Sequence, residues 1–397
     1  MSSTSGRIIA IFALIVFSHL VSPADNENPT SVQGSDSDVV KHQTLYFDDG
    51  DIVIICPFRE KGKGYQHFCV DKIVLSRQAP LFEKETSSSR GVGFDEEESS
   101  EGSGGDEEES PEGDECDEEE SSGGITKVRI CEDAEDMGGF LKALYEPLSL
   151  TYKKFSPKTA PQIKGILKLA TKYGARSIRE ILIRVLKEDW WTTYEEWERR
   201  RDYQNRTMMA AGVYGDLDTI LPEPASCYRL AVEFDIPSIQ FSTLYALACI
   251  PLCNDRGTVR REPDGQLAKD VGQRKHSTVD WKLLDRDDLF KVGKARQILA
   301  RKIVALPRGL NSKGLRNEFL GPCTLRRCGG ILGGLDIHKV SPCVVTEEPD
   351  LLLEWRAIHA ELSSDPKLCF ACSMSLDNYT DKLWTQLEDD FNEILRG

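Results

Sequence analysis

Residues 45–82 read LYFDDGDIVIICPFREKGKGYQHFCVDKIVLSRQAPLF. The run Ile52-Val53-Ile54-Ile55-Cys56 is largely β-branched and apolar on both faces, which predicts a buried strand. Gly62 and Gly64 supply a reversal, and Tyr65 to Val70 reads as a second strand. Asp71 offers a side-chain oxygen to cap a helix through Lys72-Ile73-Val74-Leu75. Pro80 breaks that helix, and the chain restarts at Leu81-Phe82.

Downstream the pattern stops. Residues 86–124 are Ser, Gly and acidic repeats with almost no apolar side chains. Such a segment cannot bury enough surface to offset its ordering entropy, so a disordered acidic insert is expected here. A long surface insertion costs little closure entropy, so a fold tolerates it. A solvated spacer is the plain reading, and the acidic settings of Ser100, Ser103 and Ser121 admit a phosphorylated tract. Strand alternation resumes over Ile125–Ile130. A helix over Asp136–Tyr145 follows, with Phe140, Leu141 and Leu144 on one face. Two amphipathic helices come next. One begins at Thr159 as cap and carries Ile163, Ile166, Leu167 and Ala170, with Gly174 as its left-handed stop. The other carries Ile178, Ile181, Leu182, Val185 and Leu186. Trp190, Tyr194 and Trp197 extend the helical spacing as a packing stripe.

Taken in order, these elements resemble the BTB (POZ) domain, a protein–protein interaction module, and in particular its form in a large group of fungal proteins. The matching residues are Asp51, Phe68, Val70, Lys72, Val74, Leu75, Ala79-Pro80 and Phe82, then Leu144-Tyr145 and the closing stretch 167–174. Asp71 stands where the family usually has His, and Ala79 where it has Ser. The resemblance implies an α+β domain over residues 41–198, a small sheet flanked by helices and split by the insert. It implies a non-enzymatic module that forms a homodimer or binds protein partners. Asp51, Val70, Lys72, Leu75 and Phe82 would be its core and interface positions. A cullin is a further implied partner, although the insert begins just after Phe82, where cullin-linked adaptors make their contacts. A cytoplasmic or nuclear location follows from the same resemblance.

Residues 216–397 read as an all-helical domain. Ala225–Phe234 and Ser238–Cys249 form a helix pair hinged at Asp235-Ile236-Pro237, and a third helix is expected over Asp287–Leu306 with Leu289, Phe290, Val292, Ile298, Leu299 and Ile303. Cys323-x4-Cys328 and Cys369-x2-Cys372, with Cys343 between, have the spacing of a tetrahedral thiolate site. A structural zinc, buried thiols and disulfides are the three readings of that cluster. Cys249 and Cys253, around Pro251, are expected in the core.

The 397 residues carry a formal charge of -16, yet 16 acids and no bases fall between Asp95 and Glu120. The remaining 50 acids balance 50 bases, so no general attraction to nucleic acid or membranes follows. Locally, Arg256–Arg316 holds 16 bases against 7 acids. That basic stretch supports an alternative reading as a nucleic-acid-associated regulator. Residues 1–40 are expected to be a disordered extension. Arg7, the apolar run Ile8–Phe17 and Ser22-Pro23-Ala24 also fit a secretory signal, which with twelve cysteines keeps a secreted, cysteine-bridged protein as a third reading. No catalytic constellation is legible. His67 and Cys69 share a strand face without an orienting acid. The glycines at 309–315 and 329–334 lack phosphate-loop and dinucleotide spacing. No small-molecule substrate is therefore expected.

Overall fold

The computed structural model describes residues 39–60, 64–82, 84, 119–122, 125–210, 217–258, 277–306, 349–364, 366 and 368–397. The sheet is built around the sequence's apolar run. Strand β2 (Ile52–Pro57) lies between β3 (Tyr65–Val70), antiparallel to it, and β5 (Ile125–Arg129), parallel to it. Ile52, Val53, Ile54 and Cys56 are buried, as a strand covered on both faces requires. Ile52 pairs with Thr126 and Ile54 with Val128, so the blocks on either side of the acidic segment share one sheet. A strand over Val39–Tyr46 (β1) borders β3 and one over Glu119–Ser122 (β4) borders β5, which gives the order β1-β3-β2-β5-β4, and the described residues form a mixed α+β fold dominated by helices.

Two strands depart from expectation. Strand β1 (Val39–Tyr46) starts inside the 1–40 extension expected to be disordered, and pairs parallel with β3. A polar sequence can join a sheet edge because the ladder uses backbone groups, and most of β1 stays exposed. His42 helps fix its irregular end, its Nδ1 accepting the Thr44 and Leu45 N–H groups at 3.2 and 3.1 Å. At the other edge, Glu119–Ser122, expected in the disordered insert, form strand β4 antiparallel to β5. The rest of the insert, and the signal-like run Ile8–Phe17, lie outside the described residues.

Helix α1 (Lys72–Gln78) is followed by α2 (Ala134–Tyr145), α3 (Thr159–Lys172) and α4 (Arg176–Asp189). Gly174 takes φ 70° after α3, and the Ala175 N–H donates to the Ala170 carbonyl at 2.8 Å, the left-handed stop expected there. Thr159 does not cap α3: Lys158 holds the cap position, and the Thr159 hydroxyl is buried without a partner among the described residues. Ile54, Phe68, Phe82, Phe140, Leu167 and Leu182 belong to one apolar core between sheet and helices.

The aromatic stripe is interrupted. Helix α4 stops at Asp189, Trp190 is extended (φ -124°, ψ 149°), and α5 starts only at Tyr194 and runs to Ala210. Trp190 joins the first core, while Trp191 and Trp197 join a second. Helices α6 (Pro224–Glu233) and α7 (Pro237–Cys249) turn at Asp235, as expected, and contribute to both cores. The second core is completed by α8 (Arg286–Ala305), α9 (Leu351–Ser363) and α10 (Phe370–Arg396). Val292, Ala295, Leu299 and Ile303 form the buried face of α8; Leu289 and Phe290 sit off that stripe and are exposed. Cys249 is buried, but Cys253, expected beside it in the core, is exposed just past the end of α7.

Candidate functional site

At the junction of β2, α1 and α2, two carboxylates and a phenol lock the elements together. The Lys72 N–H donates to Asp51 Oδ1 at 2.6 Å, so Asp51, across the turn, satisfies one of the free amides at the start of α1. Asp71 does not do so. Its Oδ2 instead accepts the Tyr145 hydroxyl at 3.0 Å, and its N–H donates back to that oxygen at 2.8 Å. Burial pushes the Tyr145 hydroxyl up to about 12; the Asp71 N–H pulls against that rise, while the Asp71 carboxylate adds to it as acceptor and as neighbouring charge. Val70, Leu75 and Phe82 lie in the first core, with the Phe82 ring 4.9 Å from that of Tyr173. Asp51 and Lys72 stay on the surface beside Ile73, which is 56% exposed. On the outer sheet edge, Val39 and Val40 are 52% and 45% exposed.

Of the candidate metal ligands, Cys369 and Cys372 sit in one turn at the start of α10, with the Cys372 N–H donating to the Cys369 carbonyl at 3.0 Å. Cys369 is half-buried and Cys372 buried. That half of the donor set suits a pair of ligands from one turn. Cys323, Cys328 and Cys343, like the glycines at 309–315 and 329–334, lie outside the described residues. Among the described residues no three His, Cys, Asp or Glu side chains gather as metal ligands. His67 and Cys69 form no catalytic pair: the Cys69 thiol donates to the Gly50 carbonyl, and burial raises its pKa. A low-pKa nucleophile needs the opposite environment.

The interruption between α4 and α5 builds a third place that the spacing of its aromatics concealed. Asp189 ends α4 almost fully buried, and its Oδ1 accepts the Phe155 N–H at 2.6 Å. Phe155 is held there at φ 59°, a left-handed conformation rare for a bulky residue. The Arg200 guanidinium donates to the Asp189 carbonyl at 3.0 Å and lies 4.2 Å from the centre of the Trp190 ring. Burial pushes the Asp189 carboxyl up to about 6, against the pull of the Phe155 N–H and of Arg200. Burial likewise lowers Arg200 to about 10, against the pull of Asp189, so the guanidinium remains charged at neutral pH. Trp191, on the far side of the break, meets Phe241, Tyr245 and Trp384 edge-on at 5.4–5.6 Å. Only the density of bases and tryptophans in 184–201 signalled this place in the sequence.

No protein-family model, curated protein or solved structure matches the chain.

Proposed function

We propose that this chain is a non-enzymatic protein–protein interaction module of BTB-like type, working as a homodimer or through protein partners. The observation that carries the reading is the open sheet edge. Among the described residues strand β1 is paired on one side only, and Val39 and Val40 project apolar surface from it. An edge strand of this kind is a template for another strand. Light scattering on the full chain at tens of micromolar tests this: a dimer is expected, and the double substitution Val39→Lys, Val40→Lys should return it to monomer. A monomeric wild-type chain, or a dimer indifferent to those lysines, would remove the reading. Cullin binding is the narrower proposal, and failure to retain any cullin scaffold in a pull-down, with self-association intact, would remove it alone.

One observation favours a second reading. Cys131 is disulfide-bonded, which suits an oxidising compartment and hence the secreted, cysteine-bridged alternative. Five other described cysteines, Cys56, Cys69, Cys227, Cys249 and Cys253, are free thiols. Thiol counting on the native chain, before and after chelation, separates bridged, zinc-bound and plain thiols. For the nucleic-acid alternative, two bases of the 256–316 stretch already serve the fold. Arg296 donates to the Ala248 and Ile250 carbonyls, and Lys302 pairs with Asp390 at 2.7 Å.

A further inference from the structure

The loop before α3, the end of α4 and the start of α5 line an open cavity of about 360 Å³. Its cations are Lys154, Arg184, Lys187, Arg199 and Arg200. Its acids are Glu188, Asp189 and Glu196, which leaves an excess of two positive charges. Two of those acids are already engaged. Asp189 accepts from Phe155, and Glu196 Oε2 accepts from the Thr192 N–H and hydroxyl at 2.8 and 2.9 Å while its Oε1 faces the Arg199 guanidinium at 3.9 Å, a long and solvent-exposed pair. By contrast, the side chains of Arg184 and Lys187 have no carboxylate partner among the described residues. The Arg200 guanidinium lies 4.2 and 5.9 Å from the centres of the Trp190 and Phe155 rings and is tied to the Asp189 carbonyl. The strained Phe155 backbone is of the sort that persists where the surroundings hold a site in shape.

We propose that this cavity binds a phosphate monoester, with Arg184, Lys187 and Arg199 as adjustable donors and Arg200 as the fixed one. The excess of two charges matches the near-dianionic state of a phosphate monoester at neutral pH better than a single carboxylate. Guanidinium forks suit its oxygens bidentately. The phosphate comes either from a phosphorylated peptide side chain or from a free phosphorylated small molecule. Nothing in the site depends on whether the chain self-associates.

Isothermal titration of the full chain with phosphoserine, a phosphoserine peptide and the same peptide unphosphorylated tests the site. Saturable binding of the phosphorylated probes alone is expected. Arg184→Ala and Lys187→Ala, both at exposed positions and so compatible with folding, should each weaken it at least tenfold. Arg301→Ala on α8 should not change it. At least tenfold preference for the peptide over phosphoserine assigns the peptide source, and comparable affinity assigns the free molecule. Absence of saturable binding to both phosphorylated probes overturns the proposal. So does equal affinity for the unphosphorylated peptide, or binding that neither substitution weakens.

Discussion

Asp189 carries two opposing demands: its oxygen must accept the Phe155 N–H, while its charge sits in a dehydrated place. A carboxyl raised from its ordinary value to about 6 binds its proton more tightly in the folded than in the unfolded chain. Its contribution to stability is therefore full below about pH 4 and is lost as pH rises through about 6, amounting to roughly 2–3 kcal/mol. Asn keeps the acceptor and removes the charge. The stability of Asp189→Asn relative to wild type, from urea unfolding, should rise by about 2 kcal/mol between pH 4.5 and 7. A flat difference would show that the carboxyl is better solvated than its burial indicates. Gly165 poses a different contest. Alanine normally favours a helix over glycine by about 1 kcal/mol, but a Cβ here would collide with the Asp136 carboxyl. Overpacking costs about 1–3 kcal/mol, so the collision wins and Gly165→Ala should lower the melting temperature. A higher one would mean that Asp136 simply swings aside.

At the scale of elements, β2, β3 and α1 were legible because buried β-branched runs, glycine turns and a proline stop act locally. Gly174 and the α6–α7 turn were legible for the same reason. Strand β1 was not, since Lys41, His42, Gln43 and Thr44 look like linker and only backbone pairing makes them a strand. The break after α4 was hidden because Trp190, Tyr194 and Trp197 keep helical spacing; a contact from Phe155, 34 residues earlier, draws the Asp189 side chain at that break. The cavity beside it needs that same non-local convergence. The cap of α1 was misassigned by one partner: Asp71 was adjacent, but Asp51 reaches the amide. That exchange predicts that Asp51→Ala costs about 1 kcal/mol, as other cap losses do. Tyr145→Phe, which strands the Asp71 N–H and carboxylate, should cost about as much. If urea midpoints show Asp51→Ala to be neutral, the helix start is held by solvent instead.

At the scale of the whole molecule, the two cores are not joined by a mere tether. Helices α6 and α7 give Cys227, Leu230, Ala231 and Ile239 to the first core and Tyr228, Leu244, Tyr245 and Leu247 to the second. Neither core closes without the pair, and the described residues from Val39 onward belong to one packed unit. Independent domains unfold in separate steps; cores built on shared helices cannot, because exposing one face of α6 and α7 removes the support of the other. Trp191, Trp197 and Trp355 lie in the second core, with Trp384 packed against it, so tryptophan fluorescence reports mainly on that half. Far-UV circular dichroism reports on both. The two signals should therefore trace one coincident urea transition, and Ala231→Asp, a charge placed in the first core, should shift both midpoints together. A fluorescence transition that stays in place while the circular dichroism splits would show that the cores are energetically separate despite their common helices.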